Sequence, residues 1–364
     1  MTAGITAAAA GALDLVGVQK AFGGVLVLKG IDLSVAPGEF VSLVGPSGCG
    51  KTTTLNMIAG FEAPDAGDIR MNSKSIVGLP PHRRELGMVF QSHALFPHLT
   101  VAENIGFGLL MHKRPKAEID RQVGRALDMV RLTGFERRYP RELSGGQQQR
   151  VGLARALTVE PRVILLDEPL SSLDAKLRRE MQFEIRQIQQ QVRTTAIYVT
   201  HDQEEALTMS DRVVLMNKGM IEQVGTPTEV YSHPVSEFAA GFIGHASFID
   251  GTVADAAAGC VLLAEGAAVT LADTRSLRQG GKVRLAVRPD RIGLSAKMDA
   301  GGFAATLLTR AFVGPILHCE IGLPNGARLQ AHVPARDAFD ARPGDRVHAR
   351  IDPHDWMILQ PDVP

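Results

Sequence analysis

The sequence predicts an α/β core with a mostly parallel sheet, an antiparallel β subdomain and an inserted helical lobe, followed by a small all-β barrel. Three observations carry this. Short apolar runs alternate with helix-forming stretches between residues 38 and 217, the pattern of parallel strands covered by helices on both faces. Within residues 92–158 the pattern changes, and Ile119, Val123, Ala126, Leu127 and Val130 recur at helical spacing. Beyond residue 250 the texture is glycine-rich, with short alternating runs at 283–287, 317–321 and 346–351. Turns at Pro324-Asn325-Gly326 and Arg342-Pro343-Gly344-Asp345 separate them, which reads as a barrel of short strands.

The elements follow in order. Residues 13–35 alternate apolar and polar side chains around Gly23-Gly24, an antiparallel hairpin. Residues 39–44 form an apolar strand, and 53–58 a helix. Pro80-Pro81 breaks the chain before a short strand at 86–90. Helical segments begin at Leu99 and span 116–131. The core then resumes with helix 147–158, strand 163–167, helix 175–192, strand 195–199, helix 203–208 and strand 212–217. A break at 232–250 separates the two textures. The expected organisation is a frayed tail at 1–12, an α/β domain at 13–243 and a β domain at 244–364.

Composition excludes several classes. Lys+Arg and Asp+Glu balance at 39 each, so no basic field argues for nucleic acid and no polybasic segment for lipid. No apolar run reaches about 18 residues, so no membrane span is expected. The alanine-rich start lacks the basic region of a signal peptide. The three cysteines, Cys49, Cys260 and Cys319, show no C-x-x-C spacing, which indicates neither zinc nor a disulfide framework and fits a reduced, cytoplasmic setting.

The chemistry begins at Gly45-Pro46-Ser47-Gly48-Cys49-Gly50-Lys51-Thr52, a complete G-x-x-x-x-G-K-[ST] phosphate loop between a strand and a helix. The glycines let backbone N–H groups converge on phosphate oxygens, and the following helix from Thr53 aims its positive end the same way. Lys51 is expected at the outer phosphates, and the Thr52 hydroxyl at Mg²⁺. Downstream, the strand at 163–166 ends in Asp167-Glu168. An acidic residue there can hold Mg²⁺, and a second carboxylate can orient or deprotonate water.

Together with Gln91, Leu143-Ser144-Gly145-Gly146-Gln147, Ser172-Leu173-Asp174 and His201, these motifs resemble the ATP-binding cassette (ABC) family of transport ATPases over residues 12–245. The resemblance implies a P-loop NTPase that binds ATP and Mg²⁺. Thr52, Gln91 and Asp167 would serve the metal, Glu168 would act as general base, and His201 would align the γ-phosphate and the attacking water. It also implies that Ser144, Gly145, Gly146 and Gln147 act on nucleotide held by a second copy, with Asp174 at that dimer contact. Phe22 either stacks on adenine, as the resemblance implies, or packs in the core. Arg288-Pro289-Asp290 and Pro343-Gly344-Asp345 resemble the accessory TOBE domain of importer cassettes.

The strings Pro81-His82-Arg83-Arg84, Phe90 to His98 and Leu170 to Arg178 resemble importer cassettes for polyamines, ferric iron, phosphonates and sugars, polyamines first. The implied partners are two integral membrane permeases and, indirectly, a periplasmic or lipid-anchored solute-binding protein. The implied location is the cytoplasmic face of the inner membrane. A groove near Gln91, Phe96, Pro97 and His98 is the expected docking surface, although Phe96 could equally be core. Two other classes compete. Soluble cassette ATPases of translation or DNA repair usually carry paired cassettes or long coiled insertions, and this chain shows neither. A scaffold with a dead site conflicts with intact Lys51, Asp167, Glu168 and His201.

Overall fold

The computed structural model describes residues 10–91, 94–263, 267–297, 302–324, 326–337 and 339–359. The chain divides into two units between Thr228 and Glu229.

In the first unit, β1 (Leu13–Phe22) and β2 (Val25–Val35) pair antiparallel through the Gly23-Gly24 turn. Both turn glycines sit at positive φ (56° and 82°), a backbone that side-chain-bearing residues avoid. The chain then enters the main sheet at β3 (Phe40–Val44), passes through the phosphate loop into α1 (Lys51–Ala59), and returns to the hairpin as β4 (Ala66–Met71) and β5 (Lys74–Ser75). These strands make an antiparallel sheet ordered β2-β1-β4-β5. β6 (Leu86–Val89) joins the main sheet, and the lobe follows as α2 (Val101–Met111), α3 (Lys116–Met129) and α4 (Gly145–Thr158). β7 (Val163–Asp167), α5 (Ala175–Val192), β8 (Thr195–Thr200), α6 (Gln203–Met209), β9 (Arg212–Asn217) and β10 (Met220–Gly225) complete the core.

The main sheet runs β10-β9-β3-β8-β7-β6, parallel except for β10. All five residues of β3 and all six of β8 are buried, as strands covered on both faces require. Residues 11 and 12, read from the sequence as part of a frayed tail, are fastened instead. Gly11 N–H donates to the Arg162 carbonyl (3.2 Å), Thr195 Oγ1 donates to the Gly11 carbonyl (2.7 Å), and Ala12 exchanges hydrogen bonds with Asn72. Residues 1–9 of that tail lie outside the described residues.

α7 (Pro227–Ser232) straddles the division, and α8 (Glu237–Phe242) lies in the second unit. Ten strands follow among the described residues: β11 (Ser247–Asp255), β12 (Cys260–Leu263), β13 (Ala268–Thr270), β14 (Lys282–Val287), β15 (Ile292–Ser295), β16 (Phe303–Val313), β17 (Ile316–Gly322), β18 (Arg328–Pro334), β19 (Arg346–Ile351) and β20 (Met357–Leu359). They form two five-stranded antiparallel sheets, β13-β12-β11-β14-β20 and β15-β19-β16-β17-β18, over one shared apolar core. Of the turns read from the sequence, Asn325 lies outside the described residues.

The division falls before the boundary expected at residue 243, and Arg288 supplies the reason. Its buried guanidinium donates to the carbonyls of Tyr231 (2.6 Å), Ala240 (2.6 Å), His245 (3.3 Å) and Gly244, and it lies over the Tyr231 ring. Residues 231–245 are therefore tied into the β-rich unit by a cation that has no other place to go.

His318 and His332 are directly opposed on β17 and β18, with ring centroids 4.0 Å apart. Burial and the neighbouring His318, with a smaller push from His245 and opposition from Asp290, hold His332 below the usual histidine range. A base with a depressed folded-state pKa contributes stability above its unfolded value and loses it as pH falls through the folded one. Trp356, the single tryptophan, is buried in this unit and reports on it alone. Its fluorescence melting midpoint should fall as pH is lowered from about 7 to about 5, the window of histidine titration. His332→Gln should flatten that dependence, and an unchanged slope would remove the pair as its source.

Candidate functional site

Parallel register brings the predicted residues to one edge of the main sheet. Val44 pairs with Thr200, Val89 with Leu166 and Asp167 with Val199, so the loops after β3, β6, β7 and β8 leave the sheet side by side. The phosphate loop is held by close approach. A Cβ at Gly45 would lie 2.2 Å from the Met216 carbonyl oxygen and 2.8 Å from Cys49 Sγ, and one at Gly50 would lie 2.4 Å from Leu28 of β2. Cys49 is buried, a small side chain at a tight turn. Pro46 is half-buried, while Ser47 and Gly48 are exposed at the loop's outer face.

α1 starts at Lys51 behind Gly50 (φ 106°), with no side-chain cap. Its first N–H groups, including those of Thr52 and Thr53, therefore have no capping side chain to satisfy them. Lys51 is buried, and its ammonium donates to the carbonyls of Gly45 (2.7 Å) and Pro46 (3.0 Å). The far end of α1 is anchored by Arg84. Its buried guanidinium donates to Met57 (2.7 Å), Ile58 (2.9 Å), Leu79 (2.9 Å) and Val77 (3.1 Å) carbonyls. Nothing in the sequence around Arg84 marks this role, because its four carbonyl partners lie on two other segments, 57–58 and 77–79.

Thr52 Oγ1 donates to Asp167 Oδ1 at 3.4 Å. Burial, and secondarily Glu168, raise the Asp167 pKa, against the pull of Thr52 and Lys51. Glu168 sits at φ 43°, a strained conformation for a residue with a side chain, costing about 1–3 kcal/mol. Its Oε2 faces His201 Nδ1 at 3.3 Å and accepts from Gln91 Nε2 at 3.4 Å. Gln91 Nε2 also reaches Ser171 Oγ at 3.4 Å, a contact the sequence did not reveal. The structure thus gathers Thr52, Asp167, Glu168, Gln91 and His201 in one place. Ser92 and His93 lie outside the described residues.

Phe22 is 44% exposed at the hairpin tip, with Lys20 Nζ over its ring at 5.1 Å, so it is not a core side chain. Ser144 caps α4 in a capping box with Gln147 (3.4 and 3.0 Å). Ser144 and Gly145 are exposed, while Gly146 packs against Leu177. Asp174 caps α5 through the N–H groups of Lys176 (3.1 Å) and Leu177 (3.0 Å). Ser144 to Gln147 and Asp174 make no contact with Lys51 or Glu168 among the described hydrogen bonds.

Comparisons with known proteins agree. The ABC transporter family profile matches residues 28–171, and the TOBE domain profile matches 285–359. The spermidine/putrescine import ATP-binding protein PotA of Rubrobacter xylanophilus is 46% identical over 353 residues, covering 96% of this chain and 93% of that protein. The protein of the same name from Ruegeria pomeroyi is 48% identical over 299 residues, 82% of this chain and 81% of that one. Among solved structures, a dimeric post-hydrolysis state of the ATP-binding cassette MJ0796 bound to ADP and Pi has a TM-score of 0.53 at 32% identity, covering 59% of this chain and 98% of that chain. CbiO1 from Clostridium perfringens, part of an ABC transporter complex, has a TM-score of 0.56 at 31% identity, covering 60% and 89%. The chain belongs to the ATP-binding subunits of ABC importers, with a C-terminal TOBE domain, and it is an ATPase of that family.

The tight fit of the phosphate loop gives a direct test. Gly45→Ala forces a methyl group against the Met216 carbonyl. It should cost about 1–3 kcal/mol in thermal or denaturant unfolding, the usual range for overpacking, and weaken nucleotide binding. Wild-type stability with wild-type affinity would contradict the close-approach account.

Proposed function

We propose that this chain is the ATPase of a polyamine importer, working as a homodimer beneath two membrane permeases. The carrying observation is the match along nearly the whole chain to a relative named for spermidine/putrescine import, covering 96% of one and 93% of the other. It is supported by a site whose residues suit ATP hydrolysis.

In this reading the phosphate loop from Gly45 to Thr52, with Thr53, holds the triphosphate through its N–H groups and Lys51, and Phe22 stacks on the base. Lys51 trades its loop carbonyls for phosphate oxygens. Among the described residues no cluster of three or more His, Cys, Asp or Glu side chains is set to hold a metal. A divalent ion would therefore rest on hard oxygen donors of mixed origin. Asp167 and the Thr52 hydroxyl, 3.4 Å apart, fit that role for Mg²⁺, together with Gln91 and phosphate oxygens. Once bound, Mg²⁺ supplies positive charge against the phosphates.

Glu168 takes the proton of the attacking water, held by Gln91 and His201 on its Oε2, while His201 faces the γ-phosphate. Ser144, Gly145, Gly146 and Gln147 present the start of α4 to nucleotide on the partner copy, and Asp174 lies at that contact. A groove of about 1070 Å³ beside the lobe, lined by Phe90, Phe96, Phe107, Met111 and Arg155 among others, offers the permeases an apolar seat. Phe96 there is half-buried and packs against Phe107 with the rings tilted by 42° and their centroids 4.4 Å apart. No helix among the described residues is long and apolar enough to cross a membrane. The chain would then lie peripherally on the cytoplasmic face, with a solute-binding protein serving the far side.

Two experiments test this. Lys51→Ala and Ser144→Arg should each abolish hydrolysis, whereas mixed dimers of the two should recover part of it, because one composite site is then intact. A mixture as inactive as its components, with mixed dimers proven, would reject a signature shared between subunits. For the solute, deletion of the gene should remove uptake of radiolabelled spermidine at micromolar supply, and the wild-type gene but not Lys51→Ala should restore it. Undiminished polyamine uptake, with loss of iron, phosphonate or sugar uptake instead, would reassign the substrate.

A further inference from the structure

The ATPase reading uses Asp174 and His201 but says nothing of what lies between them. A part-buried polar network does. Arg178, one turn into α5, donates from Nη2 to the Leu173 carbonyl (3.0 Å), the residue before Asp174. Its Nη1 reaches Asp202 Oδ2 at 3.5 Å, and its Nε faces Glu205 Oε1 at 3.8 Å. Asp202 directly follows His201. Glu205 is buried, and its Oε2 accepts from Tyr198 Oη (2.5 Å) and Thr200 Oγ1 (2.7 Å). Thr200 Oγ1 in turn accepts the Asp202 N–H at 2.9 Å. His201 is therefore bracketed by two residues, Thr200 and Asp202, that are locked to the Arg178–Glu205 pair.

The other end of this network reaches α4. A Cβ at Gly145 would lie 3.5 Å from Leu173 Cδ2, and one at Gly146 2.8 Å from Leu177 Cδ2. The start of α4, the 171–174 loop, Arg178 and the His201 turn are thus in continuous contact within one subunit. Arg178 Nε is buried without a hydrogen-bond partner among the described residues. At 3.8 Å from a carboxylate oxygen, a shift of the loop by under about 1 Å would complete that bond, and unmade buried bonds of this kind are costly.

We propose that Arg178 is a positioning residue that fixes His201 relative to the 171–174 loop, so that the placement of the partner-facing loop sets the placement of His201. A rigid guanidinium fork can bond two acceptors on two elements while facing a third; a lysine ammonium on its flexible stem holds no such fixed geometry. The inference rests on the ATPase reading for its consequence, but not for its physical content.

The test uses the full-length chain and Arg178→Lys, which keeps the charge and loses the fork. Turnover per nucleotide-binding site should fall about 10- to 100-fold, as for a small misplacement of a reacting group, while KM for Mg-ATP stays within about twofold. A merely destabilised protein would lose binding sites rather than turnover per site. Amide hydrogen exchange without nucleotide supplies a second readout: residues 171–176 and 200–204 should both exchange faster in Arg178→Lys. If that variant fails to fold, Arg178→Met with Glu205→Gln, which removes the cation and its buried anion together, carries the same comparison. Wild-type turnover, or faster exchange confined to 171–176, would overturn the proposal. If the wild-type chain itself hydrolyses no ATP, the ATPase reading falls, and the exchange pattern still decides whether Arg178 links the two segments.

Discussion

The parallel pairing of β3, β7 and β8 is the constraint on which the rest of the site depends. Because β3 and β8 pair with Val44 beside Thr200, β7 and β8 with Asp167 beside Val199, and β6 and β7 with Val89 beside Leu166, four loops leave the sheet at one edge. All six β8 residues are buried with both faces covered, so a slip of one residue would exchange the side chains presented to the two packed layers and each would meet packing shaped for its neighbour. The register is therefore set by hydrophobic packing, and the polar chemistry inherits it. Loops that follow the carboxyl ends of parallel strands are the usual location for ligand sites in such sheets.

Rigidity at that edge comes from guanidinium groups that are buried or half-buried. Arg84 collects carbonyls behind α1, Arg178 bridges the loop before α5 to the turn after β8, and Arg288 performs the same office in the second unit. Each binds backbone or carboxylate oxygens from segments far apart in sequence. Burial lowers the pKa of Arg84 and Arg288. Even so, a guanidinium stays charged inside a protein, and its several donors let one side chain stand in for several missing backbone partners. The Glu168 backbone at φ 43° is strained, and it is held by the β8 carbonyl of Val199, which accepts its N–H at 3.0 Å, and by Ser171 Oγ on its carbonyl at 2.9 Å.

The residues carrying the phosphate loop, the acidic pair and the cassette signature were legible because each is a local pattern. Gly45 to Thr52 needs its glycines where the backbone meets Met216 and Leu28, and Ser144 with Gln147 forms its capping box within four residues. The strand and helix sequence of the first unit followed from periodicity for the same reason. The anchoring of Gly11 and Ala12, the position of the division between units, and the contacts of Gln91 with Ser171 were not legible. Each depends on partners more than a hundred or several tens of residues away, as between Gly11 and Thr195.

What the sequence determined by itself was the inventory of chemistry and the order of elements, because motif spacing and hydrophobic period are properties of a few neighbouring residues. Only the tertiary structure decided which polar atoms meet. It placed the Glu168 carboxylate between Gln91 and His201, raised the pKa of Asp167 by burial, and ran a part-buried chain of hydrogen bonds from Leu173 through Arg178 and Asp202 to Thr200. Such meetings are fixed by strand register and by desolvation, which exist only once distant segments have packed.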